Sequence, residues 1–81
     1  MDILKSKTVT GHDGGVMIPI MMNRDKIIKV SRQGEQKDFT PFLSFGSMDG
    51  NQWSFISGGV KRIVFKFPFV GEELIHIIYK L

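Results

Sequence analysis

Trp53-Ser54-Phe55-Ile56-Ser57-Gly58-Gly59-Val60-Lys61-Arg62-Ile63-Val64-Phe65-Lys66-Phe67 decides the fold class of this chain. Two runs of aromatic and β-branched residues, which suit a pleated, half-buried surface, flank a Gly-Gly pair. Gly-Gly between apolar runs predicts a tight two-residue hairpin, because glycine takes the positive φ of such turns at no steric cost. That turn sets the register, with Ser57 opposite Val60, Phe55 opposite Arg62 and Trp53 opposite Val64. One face then presents Trp53, Phe55, Val60, Arg62, Val64 and Lys66. The other presents Ile56, Lys61, Ile63, Phe65 and Phe67, with Gln52 and Ser54, and its larger apolar run makes it the expected core face. A four-residue loop keeps this pairing, whereas a three-residue loop exchanges the faces.

Outward from the hairpin, seven apolar segments can be read: Ile3–Val9, Val16–Met22, Ile27–Val30, Phe39–Phe45, Trp53–Ser57, Val60–Phe69 and Leu74–Leu81. Gly, Pro, Asn and Asp separate them at short intervals, as expected for short strands joined by turns. Met22-Asn23-Arg24-Asp25-Lys26 reads as a second hairpin turn. Ser47-Met48-Asp49-Gly50 reads as a third, with Asp-Gly supplying a left-handed position. The last segment is ambiguous. Glu72 and Glu73 would suit the first turn of a short helix, but Ile75, Ile77, Tyr79 and Leu81 alternate, which favours a strand. Pro19, Pro41 and Pro68 lack a donor and belong at edges, bulges or strand ends. The expected fold is all-β, a single small domain over residues 1–81. It is a small antiparallel barrel or a compact two-sheet sandwich of six to seven strands.

Composition agrees. The chain has 81 residues, ten Ile, seven Phe, no Ala and no Cys. Ile, Phe and Val lean towards strands and Ala towards helices; the same bias also fits an AT-rich genome such as a virus. Lack of Cys removes disulfides, thiol nucleophiles and thiolate zinc sites together. No apolar run reaches the eighteen or so residues of a membrane helix, and Met1-Asp2-Ile3-Leu4-Lys5 lacks the pattern of a secretory leader. The expectation is a cytoplasmic protein with no membrane contact.

Catalytic chemistry is hard to assemble. His12 and His76 are the only histidines, and their spacing makes no metal pair. Gly11-His12-Asp13-Gly14-Gly15 reads as a polar turn and His76 as a hydrogen-bonded strand residue. Glu72 and Glu73 read as a solvated turn rather than an acid–base pair. Neither a cofactor nor an enzymatic activity is expected, with a minimal ribonuclease built on His76 and Lys80 as the remote alternative.

Binding is easier to build. The net charge is +3, a mild basic bias whose sign suits nucleic acid or an acidic protein surface. The hairpin register places Trp53 and Phe55 beside Arg62 and Lys66, and Lys29 and Arg32 extend the basic material. Rings that accept stacked bases beside cations that neutralise phosphates are what RNA or single-stranded nucleic acid needs on a sheet. The competing reading puts Trp53 in the core, with Arg62 over Phe55 as a cross-strand cation–π pair. Met17, Met21, Met22 and Met48 read mostly as core fillers. The order Trp53-Ser54-Phe55-Ile56 and then Ile63-Val64-Phe65-Lys66-Phe67 resembles the two aromatic strand motifs of cold-shock domains. The family's Gly-containing first motif is missing here and the intervening turn is shorter, so no site residue carries over.

Two functional expectations follow. The first is a non-catalytic protein that contacts RNA or single-stranded nucleic acid through a basic, aromatic sheet face. The second is a phage-type inhibitor, an antitoxin or anti-defence factor that acts by binding a host protein. Exposed edges in so small a sheet also suit a homodimer.

Overall fold

Alternation of apolar and polar residues makes the strands, and the need to cover their apolar faces curls them together. The computed structural model describes residues 3–81, which form seven strands in one nearly closed, barrel-like sheet. Met1 and Asp2, on which the reading of the N-terminus partly rests, lie outside the described residues. The strands are β1 (Leu4–Gly11), β2 (Met17–Pro19), β3 (Ile27–Arg32), β4 (Glu35–Phe39), β5 (Gln52–Ile56), β6 (Arg62–Phe65) and β7 (Glu73–Lys80). They are ordered β1-β7-β3-β4-β5-β6-β2. All neighbours are antiparallel except β4 and β5. The fold is therefore the expected small barrel, and the C-terminal segment is a strand.

The core gathers inward-facing residues from five of the strands and from the connections. Ile18, Ile27, Val30, Trp53, Ile63, Phe65, Phe69, Ile75 and Ile77 are buried together, each contributing about 1.5–3 kcal/mol. Along β7, Glu73, Ile75 and Ile77 are buried and alternate with exposed Leu74 and His76. Strand β3 keeps both Ile27 and Val30 inside by an irregularity at Ile28. Ile27 pairs with Tyr79 and Lys29 with Ile78, so one extra residue is accommodated and Ile28 is turned outward.

Three local expectations are corrected. The hairpin of β5 and β6 exists, but its loop spans five residues, 57–61, and pairs Ile56 with Arg62, Phe55 with Ile63, Ser54 with Val64 and Trp53 with Phe65. An odd loop moves every side chain to the opposite face relative to the partner strand. Trp53 and Phe55 accordingly face the interior with Ile63 and Phe65, and Arg62 and Val64 lie on the other side. The two-residue turn occurs instead at Gln33-Gly34, where φ values of 53° and 78° close the β3–β4 hairpin in the primed geometry.

Second, Met22 to Lys26 does not join paired strands. A single 3₁₀ turn spans Arg24–Lys26, and β2 pairs with β6 while β3 pairs with β4 and β7. Third, Phe39–Phe45 is not a strand. Strand β4 lies earlier, over Glu35–Phe39, and residues 40–51 form the long connection that a parallel β4–β5 pair requires.

That connection lies across the outer face of β5 and β6. Ser54 Oγ donates to Thr40 O, Lys66 Nζ donates to Met48 O at 2.9 Å, and Lys37 Nζ donates to Gly50 O at 3.1 Å. Ser54 and Val64 are buried beneath it, as is the side chain of its own Met48. Gly50 is constrained here by space rather than by φ, because a Cβ would stand 2.8 Å from the Phe67 ring and would displace it.

Candidate functional site

The six residues expected to form a basic aromatic face are dispersed. Trp53, only 2% exposed, packs in the core, and Phe55 packs against that core from a partly buried position. Arg62 is half-buried and sits opposite Pro19 and Ile56, on the face away from both rings. Lys66 is committed to Met48 O. Lys29 lies half-buried on the outer face of β3, beside Ile78. The stacking platform derived from a two-residue turn is therefore absent, and the register slip is the reason.

Arg32 is the largest departure. It is a buried structural cation rather than a surface one. Its Nε donates to Glu73 Oε1 at 2.8 Å and its Nη2 to Glu73 Oε2 at 3.1 Å. Nη1 donates to Phe67 O at 2.7 Å and Nη2 to Pro68 O at 2.9 Å. The guanidinium carbon also lies 5.2 Å and 4.8 Å from the ring centres of Phe65 and Phe69. Glu73, expected in a solvated turn, is buried, and its Oε2 also accepts from Val70 N at 2.6 Å. The bonds from Arg32 hold the Glu73 carboxyl below its ordinary pKa against the opposing effect of burial. This pair ties the end of β3 to the start of β7 and to the crossing segment 67–70.

At the other end of β3, Arg24 stacks on two rings, 3.8 Å from the Phe39 centre and 4.8 Å from the Trp53 centre. Its Nη1 donates to Ile27 O at 3.1 Å, and its buried Nε has no partner. Burial pushes its pKa down, partly offset by the neighbouring Asp25. Cation–π stacking between Arg and aromatic rings was anticipated, but with the wrong arginine; sequence spacing cannot show that the β2–β3 connection and the end of β4 meet over Trp53.

The remaining polar motifs have local roles. His12 is exposed in a turn, and Asp13 Oδ1 accepts from Gly71 N at 2.8 Å. His76 is exposed, with Nδ1 3.0 Å from Thr8 Oγ1. Among the described residues no pocket is present and no three His, Asp or Glu side chains are grouped to hold a metal. No helix of the described residues is long and apolar enough to cross a membrane.

Two surfaces carry unspent chemistry. On the outer face of β1, β7 and β3, cross-strand rows place Thr8 by His76 and Ser31, and Ser6 by Ile78 and Lys29, with Lys80 beside Leu4. This face carries cations and hydroxyls and no acidic side chain. The other surface is the 40–51 connection. Leu43 is 82% exposed and Phe45 42% exposed, with the Phe42 and Phe45 rings edge to face at 5.5 Å. Its backbone is well tied. Ser44 N donates to Ser47 Oγ at 3.1 Å, Ser47 Oγ donates to Ser44 O at 2.6 Å, and Asn51 N donates to Asp49 Oδ1 at 2.9 Å. Of the four methionines read mostly as core, Met17 and Met21 are exposed, Met22 packs partly buried against the core and Met48 is buried. No protein-family model matches the chain, and no curated protein or solved structure matches it.

Proposed function

We infer that this chain is a small non-catalytic binding protein, of the inhibitor type anticipated from its size, whose partner is another protein. The observation that carries this reading is the 40–51 connection, which exposes Leu43 and Phe45 on a backbone already ordered by Ser47, Asp49 and buried Met48. Large apolar side chains on an ordered loop gain about 1.5–3 kcal/mol each when a partner covers them. Little ordering entropy opposes that gain. Burial of Trp53 and Arg32 weakens the competing nucleic-acid reading, because stacking needs an accessible ring.

A second reading keeps one supporting observation, the outer face of β1, β7 and β3 with Lys29 and Lys80 and no acid. RNA or single-stranded nucleic acid would bind there by charge, with steep salt dependence.

Affinity purification at low salt separates the two readings, comparing the wild type with Leu43→Asp/Phe45→Asp and with Lys29→Glu/Lys80→Glu. The protein-binding reading expects a stoichiometric protein that survives nuclease treatment and is lost in the loop variant while the melting temperature holds. Co-purified nucleic acid, lost only in the lysine variant, would replace it with the second reading.

A further inference from the structure

We propose that the open edge of β1, from Leu4 to Thr8, is a docking site for an acidic extended segment of a partner protein, which joins the sheet as an eighth strand. The proposal rests on a protein partner but uses a surface separate from the 40–51 connection.

The edge exists because the barrel does not close along its whole height. Strands β1 and β2 are the two ends of the sheet order, and they share no ladder. Strand β1 is eight residues long and β2 only three. The far end of β1 is closed off, with Gly11 buried against the Phe69 ring and Gly14 N donating to Phe69 O at 2.9 Å. Toward the near end, Leu4, Lys5, Ser6 and Thr8 are exposed.

Backbone geometry says which groups are free. Leu81 N donates to Ile3 O at 3.2 Å, which makes Ile3 and Leu81 a hydrogen-bonded pair. Pairs alternate along an antiparallel ladder. In the β1–β7 register, Lys5 and Lys7 therefore aim their N–H and C=O groups at Tyr79 and Ile77. Leu4, Ser6 and Thr8 aim theirs away from β7. An added strand would satisfy this row as strand-addition complexes do.

Charge selects the occupant. Lys5 and Lys7 are the only charged side chains of β1, and they share the side of the strand that faces Tyr79 and Ile77. Lysine on an edge normally prevents sheet-to-sheet association. A second copy of this chain illustrates why. Antiparallel self-pairing centred on Lys5, Ser6 or Lys7 sets Lys5 against itself, Lys5 against Lys7, or Lys7 against itself. Like charges directly opposite are destabilising. A segment with Asp or Glu at alternate positions turns the same two lysines into cross-strand ion pairs. The lysines thus disfavour these self-pairings and favour an acidic strand.

The test uses the whole protein and two short capped peptides, one alternating Thr and Glu and the other alternating Thr and Lys, at millimolar concentration. The acidic peptide is expected to shift the amide resonances of Leu4, Ser6 and Thr8 and to slow their hydrogen exchange about tenfold. The lysine peptide should do neither, and Lys5→Glu/Lys7→Glu should reverse the preference. Leu43→Asp/Phe45→Asp should leave peptide binding unchanged, so failure of the loop reading and failure of the edge reading are told apart. Equal responses to the two peptides, no response at these amides, or a free protein that sediments as a dimer with the amides already protected would each overturn the proposal.

Discussion

The β5–β6 and β1–β7 ladders use the same kind of residues and come out differently. The first pairs four residues on each strand and the second pairs eight. Yet Trp53, Ser54, Ile63, Val64 and Phe65 are all buried, on both faces of the shorter ladder, whereas the longer one buries only one face of β7 and keeps a wet outer face and an open edge. Pairing contributes backbone hydrogen bonds worth about 0.5–1.5 kcal/mol net each. What a ladder leaves available for binding depends instead on what crosses over it. Residues 40–51 cross β5 and β6, and none of the described residues crosses the outer face of β1 and β7, where Leu4, Ser6, Thr8, Leu74 and His76 are exposed. The aromatic hairpin that looks most functional in the sequence is therefore the part most fully absorbed by the core.

The largest effect that bears on this contrast is at Trp53. Truncation to Ala should cost about 3–5 kcal/mol in urea unfolding, as for other buried aromatics, and should release Arg24 from one of its two rings. A loss below 1 kcal/mol would mean that the ring is a surface platform and that the hairpin register is wrong. Next comes Glu73→Gln. The two carboxylate oxygens accept from Arg32 Nε, Arg32 Nη2 and Val70 N, so an amide turned either way faces a donor with a donor. The expected loss is about 2–3 kcal/mol at neutral pH.

The same substitution has a pH signature. The Glu73 carboxyl lies below its ordinary value of 4.5 in the folded protein, so the unfolded chain takes up this proton first as pH falls. Its contribution is complete above that ordinary value and drains away as pH drops through the lower folded value. Glu73→Gln should therefore flatten the acid limb of the stability profile, and an unchanged limb would assign that limb to other carboxylates.

Smaller effects are expected where the two regions meet the glycines. A Cβ at Gly11 would lie 2.6 Å from the buried Phe69 ring, and one at Gly50 would lie 2.8 Å from the exposed Phe67 ring. Gly11→Ala should cost about 1–3 kcal/mol by overpacking. Gly50→Ala should cost less, because Phe67 can swing into solvent. Equal costs would show that the 40–51 connection is as rigid as the closed corner of the barrel.

Strand content was legible because alternation is local. The alternation of Ile75, Ile77 and Tyr79 identifies β7 without any knowledge of its partners. Register was not legible, because Gly58-Gly59 permits several loop lengths and one residue of slip reverses the meaning of Trp53 and Arg62. The primed turn at Gln33-Gly34 was missed for a related reason. Gln is not a residue that advertises positive φ, and the polar run after it disguises β4, whose Lys37 reaches across to Gly50 O. Arg32 and Glu73 stand 41 positions apart in sequence, so nothing in either segment announces the other.

The smallest expected effect tests the wet side of the comparison directly. Lys29 lies on the outer face of β3 beside Ile78, in a row with Ser6, and makes no ion pair among the described residues. Surface substitutions away from caps, cores and buried pairs usually stay within about 0.5 kcal/mol, so Lys29→Glu should leave urea unfolding almost unchanged. If that face is idle, binding should be unchanged as well. If it carries a polyanion, affinity should fall while stability holds, and the salt dependence should become shallower by the loss of one phosphate contact. A drop in stability instead would mean that the outer face is packed in solution, so that the longer ladder is covered after all.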